Sequence, residues 1–336
     1  MSDPAALYED LREEIQTVLV GNEEAVEGLA VALLTKGHVL MEGVPGVAKT
    51  TIATSFARAT GLDSNRIQMT PDILPADVTG THVYRESTGE FELKRGPVFA
   101  NVVVADEINR ATAKTQSALL EAMQERTVSI GGQTLSLPEP FLVVATQNPI
   151  EMQGTYDLPI AQYDRFQLKI DVEIPDQDAQ RALLDRFDDE PDLSPDDVSQ
   201  VVDRGELLDA REVVADVYVD SSIKQYLLDV AAETRESADT DHGASPRATL
   251  SFLDATKARA AIRGRDYVTP DDVKALAEPI LSHRLSLSAD AELSDVTSDE
   301  VVADVLASVD VPEVSNESTV PEEATGFGDD AERGQS

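Results

Sequence analysis

Residues 37–51 read GHVLMEGVPGVAKTT, and they constrain the fold of this chain more than any other stretch. Val39, Leu40 and Met41 form a short apolar run of the kind a buried strand needs. A loop with two glycines and a proline follows, Gly43, Val44, Pro45, Gly46, Val47 and Ala48. Lys49, Thr50 and Thr51 then open a helix predicted to reach Ala59. Strand, glycine-bearing loop, Lys-Thr and helix, in that order, make a phosphate-binding P-loop unit. Backbone N–H groups freed by a tight loop and by a helix N-terminus attract phosphate oxygens. A lysine adds a point charge near the terminal phosphates, and a neighbouring hydroxyl can ligate Mg²⁺. Ala48 stands where the common pattern has glycine, and alanine is costly wherever φ is positive. Taken alone, the stretch also fits a plain strand-turn-helix connection with an exposed lysine.

Two further strands bear on that choice. Residues 101–107 read NVVVADE; three consecutive valines suit a parallel strand buried on both faces, and Asp106 and Glu107 stand at its C-terminal end. Ligands of open α/β sheets bind at that end. Phe141 opens another buried strand, whose end carries Gln147, Asn148 and Pro149. Polar side chains thus end three separate apolar strands, which is how a doubly wound parallel sheet builds one site along one edge. A last strand is predicted over 168–174, followed by a boundary at Pro175-Asp176.

The 336 residues are enough for about two domains. With 27 basic and 64 acidic residues the formal net charge is −37. A sequence-independent nucleic-acid binder needs a basic face, so nucleic acid is an unfavoured partner, as is an anionic membrane surface. Such charge also suits a surface kept hydrated at high salt. The absence of cysteine excludes disulfides, thiolate metal sites and cysteine nucleophiles. His38, His82, His242 and His283 are far apart, without ligand spacing, and read as structural. No apolar run approaches a membrane span, and the acidic N-terminus is unlike a signal peptide, so the expected location is cytoplasmic with no membrane insertion.

Along the chain, helices are predicted over 4–20 and 23–35 before the P-loop unit. Residues 61–97 change character, with proline turns and short β-like pieces flanking Glu86-Ser87-Thr88-Gly89, and read as an insertion. A helix over 112–126 precedes a hairpin around Gly131-Gly132. Beyond residue 175 strand signals thin out and helices dominate. Ser245-Pro246 and Thr269-Pro270 are clear helix starts, with a capping hydroxyl before proline at the first helical position. The domains expected are an α/β nucleotide-binding domain over 1–175, an α-helical lid over 176–287 and an acidic, largely disordered tail over 288–336 in which 299–309 could form one more helix.

With these pieces in order the sequence resembles the MoxR family of AAA+ ATPases over about 14–287. The stretches GHVLMEGVPGVAKT, VVADEINRATAKTQSALLEAMQE and ATQNPIEMQGTYDLPIAQYDRF carry the resemblance. AKT in place of GKT is a frequent variant in that family, which removes most of the objection to Ala48. The resemblance implies ATP and Mg²⁺ as cofactors, a ring-shaped homo-oligomer, a hexamer, and a chaperone-like ATPase acting on a protein client. A von Willebrand factor A domain protein is the partner it suggests. It implies a Walker A loop over residues 43–51, with Lys49 on the β- and γ-phosphates and Thr50 on Mg²⁺. Asp106 and Glu107 match Walker B, the first orienting the metal's shell and the second polarising the attacking water. Asn148 matches sensor 1. Arg165 matches the arginine finger that reaches into the neighbouring subunit, and Arg247 matches sensor 2, expected to read the γ-phosphate of its own subunit. The plain alternative for Arg165 is an ion pair with Asp164, and for Arg247 a surface salt bridge. Residues 72–96 correspond to the helix-2 insert and 128–137 to the hairpin before sensor 1. Tyr156-Asp157-Leu158, Ile160 and Tyr163 depart from the usual family residues. The alternative functions are a magnesium-chelatase-like motor subunit and a nucleic-acid motor related to replicative helicases.

Overall fold

The structure, a computed structural model, describes residues 2–312 except 88, 150–155 and 157. Two helices lead in, α1 (Pro4–Gln16) and α2 (Glu23–Leu34). The Asp3 side chain caps α1 by accepting from the Ala5 N–H, and Leu7, Leu11 and Ile15, four residues apart, form its buried stripe. Then come β1 (Val39–Glu42), α3 (Lys49–Ala59) and β2 (Ser64–Gln68). A short helix α4 (Pro75–Thr79) and the hairpin β3 (Gly80–Arg85) and β4 (Glu90–Arg95) precede β5 (Val102–Asp106). α5 (Ala113–Glu125) and the hairpin β6 (Thr127–Ile130) and β7 (Gln133–Ser136) lead to β8 (Leu142–Gln147). The short α6 (Ile160–Tyr163) precedes β9 (Leu168–Asp171), three residues shorter than predicted.

The central sheet is parallel, in the order β2-β5-β8-β1-β9. The connection from β1 runs to the far edge, and those from β2, β5 and β8 return in the opposite sense. Alternate residues face two separate cores. Val39, Met41, Val102, Val104, Leu142 and Val144 join α1, α2 and α3 on one side. Leu40, Val103, Ala105, Val143 and Ala145 join α5 and the β6–β7 hairpin on the other. A fully buried Val or Leu side chain is worth about 1.5–3 kcal/mol, so strands buried on both faces hold their C-terminal ends firmly.

β2 corrects one expectation. Residues 64–68 lie in what the sequence suggests is an insertion, yet they form the edge strand of the main sheet, in register with β5. Its sequence, SNRIQ, buries only Ile67. An edge strand with one solvated face carries too little apolar signal to be read.

Past Pro175 follow α7 (Gln177–Asp189), α8 (Arg204–Asp216), α9 (Ser221–Glu236), β10 (Thr240–His242), α10 (Pro246–Ile262) and α11 (Pro270–Leu281). Both predicted helix starts are built as caps. The Ser245 hydroxyl accepts from the Ala248 N–H, and Asp272 accepts from the Thr269 N–H at 2.9 Å. Asp272 is fully buried and is neutralised by Arg259 at 2.8 Å and Arg265 at 2.6 Å. Phe252, Ala255 and Ala258 of α10 share the core of α1 and α2, and Arg259 pairs with Glu27 of α2 at 2.9 Å. The lid helices therefore stack behind the sheet.

The expected tail is folded over its first part, where the helix allowed over 299–309 is present with a further short helix before it. After β11 (Ser286–Leu287), α12 (Ala289–Leu293) and α13 (Ser298–Ser308) are folded, and α13 packs on α9 and α11 through buried Val301, Val302 and Val305. Thr297 and Glu300 form a capping box at its start. These valines give α13 an apolar face that outweighs the acidic composition around it. Residues 313–336 lie outside the described residues.

Candidate active site

The loop between β1 and α3 is built to expose backbone. Gly46 lies at φ 88° and Ala48 at φ 66°. The alanine thus adopts the left-handed conformation that disfavours a side chain, at about 1–2 kcal/mol. Gly43 has no room for one, since a Cβ there would lie 2.3 Å from the Val172 carbonyl oxygen. Buried Val47 pins the loop to the core below. Lys49 Nζ folds back on the loop and donates to the carbonyls of Gly43 and Val44, the latter at 3.0 Å. Burial draws the Lys49 ammonium below its ordinary pKa, while Asp106, Glu107 and Glu42 oppose the shift. A half-desolvated cation held by two carbonyls can turn to phosphate oxygens with little water to shed.

Asp106 ends β5 and is 3% exposed. Its Oδ1 accepts from the Thr50 hydroxyl at 2.8 Å and the Thr146 hydroxyl at 3.1 Å, and its Oδ2 from Arg66 Nε at 2.6 Å. Glu107 follows at φ 56°. Its N–H donates to the Thr146 hydroxyl at 3.0 Å, and its carboxylate accepts from Gln68 Nε2 at 2.7 Å and Arg110 Nη1 at 2.9 Å. Asn148, 5% exposed, follows β8. Lys49, Thr50, Thr51, Asp106, Glu107 and Asn148 line one cavity of about 480 Å³, with Pro45, Gly46, Val47 and Ala48 along its rim. That is a volume typical of small-molecule sites. Gly43 and Val44 line an adjoining hollow with Val172 and Ile174.

Arg165 and Arg247 are elsewhere. Both line a second cavity, of about 240 Å³, with Gly37 and His38 at the start of β1. The length of β1, roughly 13 Å for four residues, separates that end of the sheet from the P-loop end. In this arrangement Arg247, expected to read the γ-phosphate of its own subunit, does not line the P-loop cavity of its own chain. Because α10 stacks on α1 and α2, its first turn lies beside the N-terminal end of β1. Lys36, Arg126 and Arg284 also line this cavity, against the carboxylates of Asp164 and Asp254. The Arg165–Asp164 ion pair that the sequence allows is not made, because Asp164 pairs with Arg284 at 2.9 Å. Among the described residues, the Arg165 and Arg247 guanidiniums make no hydrogen bond or ion pair.

His38 underpins this cavity. Its Nδ1 accepts from the Val143 N–H at 3.0 Å, so the proton is on Nε2, which donates to the Met123 carbonyl at 3.2 Å. Burial, helped by Arg126, lowers its pKa to about 3 and keeps it neutral.

A family model described as "ATPase family associated with various cellular activities (AAA)" matches residues 38–168, and an AAA lid domain model matches 232–305. The chain is 45% identical to Chaperone MoxR1 of Mycobacterium tuberculosis over 90% of its own length and 81% of that protein's. This chain belongs to the MoxR family of AAA+ ATPases. It is also 42% identical to YeaC of Bacillus subtilis, a protein described as uncharacterized, over 89% and 93% of the two chains. A solved structure from Cytophaga hutchinsonii, provisionally named an ATPase, superposes with a TM-score of 0.85 at 38% identity, covering 92% and 96% of the two chains.

Several residues that shape this MoxR-family site are not among the predicted site residues. Arg66 and Gln68, two apart on β2, project toward the acids at the end of β5. Thr146 joins Asp106 to the Glu107 backbone, and Arg110 folds back one turn onto Glu107. Thr146 and Arg110 lie within the stretches that carry the family resemblance, whereas Arg66 and Gln68 sit on a polar edge strand with no motif.

Proposed function

We propose that this chain hydrolyses ATP as a ring-shaped homo-oligomer, a hexamer by family analogy, and uses the energy to remodel or activate a protein client. The observation that carries the reading is the division of one charge set between two ends of the sheet. The P-loop end holds a lysine, a hydroxyl and two carboxylates, and the opposite end holds two arginines that are unpaired among the described residues. In a chain with 64 acids and 27 bases, an arginine left without a carboxylate is a cation reserved for another anion. The phosphates of a neighbouring subunit fit that role.

At the P-loop end the loop amides and Lys49 would take the β- and γ-phosphates. The residues present fit Mg²⁺: the Thr50 hydroxyl and the Asp106 carboxylate, 2.8 Å apart, are hard oxygen donors able to hold the ion directly or through its waters. Bound there, it would neutralise charge on the β- and γ-phosphates. Glu107 is the base that would take the proton of the attacking water once Gln68 and Arg110 release its carboxylate. Asn148 would orient that water. Arg165, with Arg247 beside it, would stabilise the γ-phosphoryl charge of the next subunit. Phe91 and Tyr84, exposed on the β3–β4 hairpin with ring centroids 5.4 Å apart and planes tilted by 58°, support an apolar contact with a client. A von Willebrand factor A domain protein is the partner class the family suggests. No helix among the described residues is long and apolar enough to cross a membrane, which agrees with work in the cytoplasm.

The test is phosphate release by wild type and Glu107→Gln with MgATP at the protein's working salt. Glu107→Gln should retain ATP through gel filtration while turnover falls by roughly 10²–10⁴-fold. Hydrolysis at the wild-type rate would remove Glu107 from the reaction. The ATP-locked variant is also the bait for isolating the client.

A further inference from the structure

The segment that carries Arg165 is gripped by the lid. Arg284 closes the 3-10 turn Ser282–Arg284 after α11 and is 5% exposed. Its Nε donates to Asp164 Oδ1 at 2.9 Å, its Nη2 to the Phe166 carbonyl at 2.7 Å, and its Nη1 to the Gln167 carbonyl at 3.2 Å and to the Ile280 carbonyl. One planar guanidinium thus holds the residue before Arg165 and the two after it. His283 adds a bond from Nε2 to the Phe166 carbonyl at 3.2 Å, and the Gln167 N–H donates to the His38 carbonyl at 2.8 Å. Phe166 is fully buried. The backbone around Arg165 is fixed from the lid above and the sheet below, while the Arg165 side chain has no partner among the described residues.

Asp164 is the carboxylate next to Arg165 in sequence, and in its ionised form it would take the guanidinium as an ion partner. Arg284 occupies it instead. Burial lowers the Arg284 pKa to about 10, so it remains charged at neutral pH. A charge kept out of water at that cost, with donors aimed at both sides of a single residue, does more than join lid to sheet.

We propose that Arg284 is a positioning residue for hydrolysis, which sequesters Asp164 so that Arg165 stays unpaired and aimed at the neighbouring subunit, and which ties Arg165 to the lid. The inference rests on Arg165 acting as the arginine finger. Arg284→Gln frees Asp164 to capture Arg165, so kcat should fall by about ten- to a hundredfold with KM for MgATP within about twofold. Adding Asp164→Asn to that variant removes the competing charge and should recover several-fold of the loss. In an Arg165→Ala background Arg284→Gln should have no further effect on kcat. Arg284→Lys preserves charge and bulk if Arg284→Gln does not fold; a point charge cannot bridge Asp164 and both carbonyls, so its kcat should fall in the same way. Wild-type kcat in Arg284→Lys, an equal loss with Arg165 already removed, or no recovery with Asp164→Asn would overturn the proposal. If Arg165→Ala itself turns over normally, the finger reading fails and this inference falls with it. If Arg165→Ala is inactive and Arg284→Lys is not impaired, this inference alone fails.

Discussion

The two ends of the central sheet are built on opposite principles. At the P-loop end every charged group has a partner: Lys49 lies on loop carbonyls, Asp106 on two hydroxyls and Arg66, and Glu107 on Gln68 and Arg110. At the other end Arg284 takes Asp164, and Arg165 and Arg247 make no ion pair among the described residues. The first end is a self-consistent cradle in which Lys49 is the cation available to a γ-phosphate, since Arg66 is held by Asp106. The second has the cations and no phosphate. The two lie at opposite ends of the same strands, so one chain cannot join them. A head-to-tail contact between copies can, and head-to-tail contacts that close make rings. Assembly on this reading is a requirement of the chemistry.

The most severe way to break this comparison is Arg165→Ala. An arginine finger is worth about 10³–10⁵ in kcat, so turnover should nearly vanish while nucleotide affinity, measured with a fluorescent ATP analogue, stays close to wild type. Mixing separates the two ends directly. Lys49→Ala subunits keep their arginines, Arg165→Ala subunits keep their cradles, and mixed rings should recover part of the lost phosphate release. Two inactive proteins that stay inactive together, in rings shown to contain both, would refute the division between subunits.

Arg247→Ala is a milder test of the same end. Its guanidinium is a second donor beside Arg165, and losing one donor to a transition-state charge costs about 10²–10³-fold. If Arg247 acts across the interface, mixing with Lys49→Ala should rescue this variant as it does Arg165→Ala. Rescue of one and not the other would split the pair.

The cradle was more legible in the sequence than the arginine end, and the reason is physical. Val102–Val104 and the run after Phe141 are short apolar strands, and the acids and amide that end them are placed by the chain itself. Local pattern therefore located Asp106, Glu107 and Asn148. Arg247 was also placed correctly within its helix, one residue past Ser245-Pro246. Its destination was not readable, because that depends on Phe252, Ala255 and Arg259 packing against α1 and α2, more than two hundred residues away. β2 escaped for the opposite reason: a polar edge strand is defined by its hydrogen bonds to β5 and has little periodicity of its own. α13 was legible as a helix in spite of the acidic composition around it, because three valines share one face.

Acid should reach the arginine end through its buried imidazole. The folded pKa of His38, about 3, is below the ordinary value of 6.5. Between those values the unfolded chain binds a proton that the folded chain refuses. The His38 contribution is therefore fully present above about pH 6.5 and is lost as pH falls, by about 1.4 kcal/mol per unit. His283, half-buried and held well below 6.5 by desolvation, adds in the same direction. Urea unfolding at pH 7 and pH 5.5 should show a shallower pH slope in His38→Gln than in wild type. An unchanged slope would mean that the imidazole is solvated or charged in the folded protein.

The smallest effect expected lies back in the cradle, at Ala48. With φ at 66°, alanine carries left-handed strain of about 1–2 kcal/mol. Glycine would relieve it and add about 0.4–1 kcal/mol of unfolded-state freedom. Ala48→Gly should therefore be neutral to about 1 kcal/mol more stable. Ala48→Val should be less stable than wild type, since a β-branched side chain tolerates that conformation worst. Thermal melts with and without MgATP distinguish strain in the loop from strain in the bound state. If glycine stabilises only the nucleotide-free protein, the alanine is tolerated because phosphate holds the turn. If it stabilises both equally, the loop is preformed and Ala48 is strain that its anchors, Val47 in the core and Gly43 against Val172, are strong enough to carry.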